Sequence, residues 1–88
     1  MNKTIIVHCK KDKYDVYIGR PTDFGNPFSI GKDGTREEVI EKYKQYFYDR
    51  LKSDKIFKFK IKRLKNKILA CWCSPLACHG DIIAEYLK

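Results

Sequence analysis

The sequence predicts a small single-domain α/β layer fold, with a short mixed sheet of three strands and two or three helices. Three short segments have the apolar or alternating pattern of strands, and two longer segments repeat apolar residues at helical spacing. The 88 residues, 43% of them apolar and 14% aromatic, suit one folded domain over positions 1–88, since no linker, repeat or low-complexity tail interrupts them.

The first part of the chain predicts two strands and a long loop. Residues 4–9 ("TIIVHC") are predicted to form a buried strand, and residues 14–18 ("YDVYI") a second strand in a hairpin with the first. Residues 19–34 ("GRPTDFGNPFSIGKDG") contain four glycines and two prolines, which indicates an irregular loop anchored by Phe24 and Phe28. A loop of this length in a small domain is often functional.

A capping-box pattern predicts that a helix begins after the loop. The hydroxyl of Thr35 can accept a hydrogen bond from the backbone of Glu38, whose side chain can reach back to the start of the helix. Apolar residues then recur at helical spacing: Val39, Ile40, Tyr43, Phe47 and Leu51.

Residues 54–64 fit either a helix or a strand. Positions 57–62 ("FKFKIK") alternate as a strand does. The apolar residues also fall at helical spacing: Phe57, Ile61 and Leu64. Ser53 followed by Asp54 suits a helix start, so the pattern favours a helix.

The last part predicts a central strand and a terminal helix. Residues 68–73 ("ILACWC") are apolar throughout, which is typical of a central strand, here parallel to the first through a right-handed crossover. The helix is predicted over residues 79–87, with these residues facing inward: Ile82, Ile83, Tyr86 and Leu87.

One segment supplies the whole net charge of +8. Residues 50–67 contain nine basic residues and one acid, whereas the other 70 residues contain ten of each. A concentrated basic face favours a polyanion such as nucleic acid, or an acidic protein partner. The alternative interpretation is an ordinary solvated helix face.

The stretch "ACWCSPLACHGD", residues 70–81, holds three of the four cysteines, the only tryptophan and one of the two histidines. It runs from the carboxyl end of the third strand into the start of the last helix. Ligands of open α/β sheets bind at the carboxyl ends of the strands, so this placement predicts a site.

The first candidate is a pocket for a phosphorylated ligand. Arg20, in a rigid loop, suits a phosphate or carboxylate, and Asn26 suits a base or sugar edge. Gly80 would let a ligand approach the start of the helix closely. Trp72 suits stacking on a base, as do Phe24 and Phe28. The alternatives are that Trp72 packs in the core and that "FGNPF" is a structural turn.

The second candidate is a reactive thiol. Cys78 falls at a helix start, where free amides and the helix dipole lower a thiol pKa. His79 and Asp81 supply a base and an orienting acid, although neighbours in sequence seldom form a triad and His8 is an alternative base. Under the plainer interpretation Asp81 caps the helix and His79 bonds locally.

The third candidate is zinc, because Cys71, Cys73, Cys78 and His79 supply four ligands of the preferred types. Cys9 is a substitute ligand. The spacing is unlike that of common zinc modules, and reduced cysteines are often simply buried apolar residues. No resident cofactor is expected, with zinc as the alternative.

The pieces "YDVYIGRP", "FGNPFSIG", "DGTREEVIEKY" and "LACWCSPLACHGD" together resemble the domain of unknown function 4326 family, small proteins of bacteria and their phages. The resemblance runs from Tyr14 to the end. The strand, "CH" and helix ending is similar to a second family, domain of unknown function 488. The first resemblance implies that the glycine-rich loop and the cysteine block are one shared feature. It also implies a role in nucleic-acid metabolism or in interference with host defence.

The sequence therefore predicts a cytoplasmic protein, in the host cytoplasm if phage-encoded, with no membrane partner. Its predicted function is binding of a phosphorylated ligand, a nucleotide or a nucleic-acid end. Processing of that ligand in phage or bacterial nucleic-acid metabolism is left open. The alternative is a non-enzymatic, zinc-stabilised module that binds nucleic acid or an acidic protein through residues 50–67. The sequence indicates neither an oligomeric state nor whether a reaction is catalysed.

Overall fold

The computed structural model describes residues 4–73 and 76–88, and these residues form an α/β fold, as predicted. The elements in chain order are β1 (Ile5–His8), β2 (Val16–Tyr17), α1 (Arg36–Ser53), α2 (Lys55–Lys62), β3 (Ile68–Cys71) and α3 (His79–Tyr86). Residues 74 and 75, in the predicted turn after β3, lie outside the described part. No helix among the described residues is both long and apolar enough to cross a membrane.

The three strands form a parallel sheet in the order β1-β3-β2. β3 is central, as predicted, and Leu69 and Ala70 are fully buried in it. Strand β1 pairs with β3 from Ile5 opposite Ile68 to His8 opposite Cys71. The strand ends two residues earlier than the sequence predicts, at Cys71.

The predicted hairpin between the first two strands is wrong, because β3 lies between them and all the pairing is parallel rather than mixed. Asp15 explains the placement of β2. Its N–H donates to the carbonyl of Ile68 at 2.8 Å, and its carboxylate accepts from the Ile68 N–H at 2.8 Å. These two long-range bonds attach the start of β2 to β3, which a local hairpin pattern does not reveal.

Helix α1 begins with the predicted capping box. The Glu38 N–H donates to the Thr35 hydroxyl at 3.2 Å, and the Thr35 N–H donates to the Glu38 carboxylate at 2.8 Å. These bonds hold the pKa of Glu38 below its ordinary value. The predicted apolar face is buried at Val39, Tyr43, Phe47 and Leu51.

The ambiguous segment is a helix, α2, because Asp54 caps it. The Asp54 carboxylate accepts from the Phe57 N–H at 3.0 Å, which provides the helix with its start. Phe57 and Ile61 face the core, and Phe57 contacts the ring of Phe47 with centroids 5.9 Å apart. The alternation of Lys and apolar residues therefore does not mark a strand, and Phe59 is left exposed on the opposite side of the helix.

The three helices pack against one another and the sheet, and the loop of residues 19–34 is anchored to this core. Helix α1 packs against α2 and α3, and α3 packs against β1 and β3. Both predicted aromatic anchors of the loop are confirmed. Phe24 contacts the ring of Phe57, and Phe28 contacts that of Tyr46. The hydroxyl of Tyr43, a fully buried residue, donates to the Phe24 carbonyl at 3.0 Å, so the loop is fixed to α1.

Candidate functional site

A cavity of about 320 Å³ lies at the carboxyl ends of β2 and β3. Gly19 and Arg20 follow β2, Trp72 follows β3, and Arg36 and His79 are the first residues of α1 and α3. The lining also includes Asn26, Phe28, Ser29, Cys71, Cys73 and Cys78. The loop of residues 19–34 and the cysteine block therefore form one cavity.

Two arginines border the cavity. Arg20 is exposed and donates from Nη1 to the Ser29 hydroxyl at 3.1 Å. Arg36 donates from Nη1 to the Ala77 carbonyl at 3.1 Å. A guanidinium carries five N–H donors, so most donors of each group are not used by these bonds. The two side chains are thus oriented but retain capacity to bind an anion.

The backbone of Arg20 is held by close packing. The Tyr17 hydroxyl donates to the Arg20 carbonyl at 3.0 Å. Gly25 lies so near that a Cβ atom there would be 3.0 Å from the Arg20 backbone nitrogen and 3.1 Å from its Cα. Only glycine fits at position 25 without displacing the arginine.

Asn26 lines the cavity, but its side chain is committed to the loop. Its Nδ2 donates to the Val39 carbonyl at 3.1 Å, and its Oδ1 accepts from the Phe28 N–H at 2.9 Å. These bonds leave one N–H and one lone pair of the amide, so a contact of Asn26 with a base or sugar edge stays a prediction. Its amide ties the loop to α1, which is the structural role weighed for "FGNPF".

Trp72 is 57% exposed, so it is not a core residue. Its ring makes an edge contact with that of His8 at 5.8 Å, and Lys10 Nζ lies 5.4 Å from the ring centroid. Phe28 also lines the cavity, whereas Phe24 packs in the core cluster away from the cavity lining. Of the three predicted stacking residues, Trp72 is the one presented to solvent beside the cavity.

Gly80 serves packing and is not among the residues that line the cavity, and close approach of a ligand to it stays a prediction. It is buried, and a Cβ atom at this position would be 2.9 Å from Ile18 Cδ1 and 3.0 Å from Ile6 Cδ1. The glycine lets the first turn of α3 pack closely on the sheet.

Cys71 and Cys78 are a buried thiol pair, with their sulfur atoms 3.1 Å apart. The hydrogen bond with Cys71, together with burial, raises the pKa of Cys78 well above its ordinary value. The Gly80 N–H at the helix start acts to lower this pKa, as expected, but the hydrogen bond with Cys71 and burial outweigh it. Cys78 is a thiol at neutral pH, and the thiol is not the nucleophilic form.

His79 is 7% exposed and forms part of the cavity floor. Its Nε2 lies 2.8 Å from the Ile18 carbonyl, which can only accept, so Nε2 carries the proton. Burial lowers the pKa of His79 below its ordinary value, and the positive charge of Arg20 lowers it further. The imidazole is therefore neutral at neutral pH, and its unprotonated Nδ1 can accept a hydrogen bond.

Asp81 caps α3 rather than orienting His79. Its carboxylate accepts from the Cys78 N–H at 3.1 Å, which is the plainer role weighed for it. His8, the other candidate base, accepts at Nδ1 from the Lys10 N–H and packs against Trp72. The three residues predicted as catalytic thus meet at one helix start without forming a triad.

The zinc ligand set is not assembled within residues 4–73 and 76–88, where no group of three or more His, Cys, Asp or Glu side chains converges. His79 directs Nε2 to a carbonyl, and Cys71 and Cys78 bond to each other. Cys73 and Cys9 are half-buried free thiols. A zinc site at these cysteines stays a prediction.

Sequence reasoning missed Arg36. The signal was its position as the first residue of α1, directly after the capping Thr35. A cation at this position is repelled by the positive end of the helix dipole. Because this repulsion destabilises the helix, an arginine there indicates a role other than helix stability. Ser29, which orients Arg20, gave no signal because serine is common in loops.

One protein-family model matches nearly the whole chain. The model of the family described as Domain of unknown function (DUF4326) matches residues 7–88. The chain belongs to this family. No comparison supports the second resemblance, to domain of unknown function 488.

Two viral relatives match the DUF4326 chain. One is the "Uncharacterized 12.4 kDa protein in nrdA-td intergenic region" of Enterobacteria phage T4, 45% identical over 84 residues that cover 94% of this chain and 76% of the relative. The other is "Uncharacterized protein R718" of Acanthamoeba polyphaga mimivirus, 32% identical over 112 aligned positions that cover 100% of this chain and 82% of the relative. No solved structure matches.

Proposed function

We propose that the cavity binds a phosphorylated ligand, either a free nucleotide or a nucleic-acid end. The observation that carries the proposal is the meeting of Arg20, Arg36 and the exposed Trp72 around one cavity. Arginine forks bind phosphate oxygens in pairs, and an exposed indole offers a face to a base.

The cavity limits the size of the ligand. Its volume of about 320 Å³ lies at the small end of the range for small-molecule sites, which suits one nucleotide better than a dinucleotide. Nδ1 of the neutral His79 is available to accept a hydrogen bond from a ligand hydroxyl or amine. The raised pKa of Cys78 argues for binding rather than covalent cysteine catalysis.

The test is titration calorimetry with nucleoside mono-, di- and triphosphates and with a 5′-phosphorylated dinucleotide. Arg20→Ala and Arg36→Ala should each weaken binding at least tenfold, because a charged hydrogen bond to phosphate contributes about 1.5–3 kcal/mol. Trp72→Ala should weaken the binding of ligands that contain a base but not the binding of inorganic phosphate. Lys44→Ala is the control, an exposed cation outside the cavity lining.

Two results would contradict the proposal. One is the absence of binding by any of these ligands at millimolar concentration. The other is an equal loss in the Lys44→Ala control. One equivalent of zinc, measured by elemental analysis of protein purified without a histidine tag, would instead support the zinc-stabilised module and contradict the thiol pair of Cys71 and Cys78.

A further inference from the structure

The exposed face of α2 combines two large apolar side chains with a ring of cations. Ile56 is 70% exposed and Phe59 is 61% exposed, although both lie within α2, a helix whose other side is buried. They lie one turn apart on the side of α2 opposite the buried Phe57 and Ile61. We call Ile56, Phe59 and the cations Lys55, Lys58, Lys62, Arg63 and Lys65 the α2 face.

Three of the five cations lie one helical turn from Phe59, whereas Lys58 is its neighbour in sequence and Lys65 follows the end of α2. Lys55 and Arg63 are four residues away on either side, and Lys62 is three residues away. The guanidinium carbon of Arg63 lies 5.6 Å from the ring centroid, so a cation already covers part of the ring. The result is an exposed aromatic surface within a positive field.

This charge is not neutralised by the described residues. The acid of the segment, Asp54, caps α2 and pairs with Arg50. Asp23 pairs with Arg50 at 2.7 Å and with Lys60 at 3.7 Å. The described ion pairs therefore engage Arg50 and Lys60, while the five cations of the α2 face have none among residues 4–73 and 76–88.

We infer that the α2 face binds single-stranded nucleic acid, with an unpaired base stacked on Phe59 and the backbone phosphates along the lysines. Base–aromatic stacking with flanking cations is the general mode of binding to single strands. Paired bases in a duplex present no face to a side chain on a convex helix. The site is separate from the cavity, because none of these residues lines it.

The geometry favours nucleic acid over an anionic membrane. A helix that lies in a membrane interface presents a long apolar stripe, and such helices commonly reach 20–30 residues. Helix α2 has eight residues and exposes two apolar side chains. The buried stripe of Phe57 and Ile61 is occupied by the core and is not free to insert.

The test is fluorescence anisotropy with a labelled 12-nucleotide oligothymidylate. Contacts with about five phosphates predict a slope of about −3.5 for log affinity against log salt concentration, at ~0.7 per phosphate of a single strand. Phe59→Ala should weaken binding about tenfold through lost stacking, and Phe59→Trp should retain or improve it. Lys55→Ala combined with Lys62→Ala should weaken binding and reduce the slope by about one to two.

Matched variants test whether a loss of binding comes from the α2 face itself or from a general change in the protein. Tyr14→Ala removes another exposed aromatic side chain, 44% exposed, and should leave binding unchanged. Because Phe59 is mostly exposed, its variants should keep the parent circular dichroism spectrum and melting temperature. Arg20→Ala, which tests the cavity, should leave binding of an unphosphorylated oligonucleotide unchanged, so the two proposals fail separately.

Four results would overturn the inference. The first is no binding of the oligonucleotide at 50 mM salt. The second is a Phe59→Ala variant that binds as the parent does. The third is tighter binding of a 12-base-pair duplex than of the single strand. The fourth is tighter binding of vesicles rich in phosphatidylserine, or of polyglutamate, each lost with Phe59→Ala, which would assign the face to a membrane or to an acidic protein.

Discussion

His79 should make the stability of the protein depend on pH in a window where few side chains titrate. Its pKa is lowered in the folded state, chiefly by burial, so the unfolded chain binds a proton that the native protein does not. The free energy of unfolding should therefore fall as the pH falls through about 6.5, and the fall should stop once the pH reaches the native pKa.

The magnitude follows from the unfolded pKa of about 6.5. If the native imidazole stays neutral, lowering the pH from 7.0 to 5.5 costs at most about 1.2 kcal/mol. For a domain of this size, that corresponds to a melting temperature lower by roughly 5–10 °C. Denaturant titrations at several pH values, with melting curves beside them, would measure the change.

A pair of variants assigns the effect. His79→Gln can still donate to the Ile18 carbonyl but cannot titrate, so its free energy of unfolding should be nearly level between pH 7.0 and 5.5, whatever its absolute value. His8→Gln removes the other histidine and should keep the parent's slope. If His79→Gln and the parent lose stability equally over this range, the buried neutral imidazole is not the cause and the description of the cavity floor is wrong.

Two further predictions concern the packing of the site. Gly25→Ala should lower the melting temperature by overpacking against the Arg20 backbone, about 1–3 kcal/mol, and should weaken nucleotide binding with it; an unchanged titration curve would mean that Arg20 does not bind ligand. A thiol reagent should modify Cys9 and Cys73 first and reach Cys71 and Cys78 only on unfolding, and four equally fast thiols in native protein would contradict the buried pair.

Local signals predicted the helices well, because each helix start is a short-range feature. Thr35 with Glu38 and Asp54 with Phe57 make the caps that the residue types suggest. The placement of β2 could not be predicted in this way. It depends on Asp15 meeting Ile68, a contact 53 residues away in sequence.

The position of the cavity was predictable, but the contacts of its lining residues were not. The carboxyl ends of strands are a general place for a site, and the cavity is there. Residue type alone does not reveal that the side chain of Asn26 is tied to two backbone groups. Nor does it reveal that Trp72 is exposed while Cys78, six residues on, is buried.

The division between buried and exposed groups determines how this site can work. The sulfur atoms of Cys71 and Cys78 and the imidazole of His79 are enclosed and hydrogen-bonded, so they form a rigid floor. Arg20 and Trp72 are exposed and make few intramolecular bonds, so little folding energy depends on them. Variants of the exposed pair should therefore lose ligand without losing the fold, whereas variants of the floor change both. Under the proposed function, the exposed pair would set the ligand specificity separately from the stability of the fold.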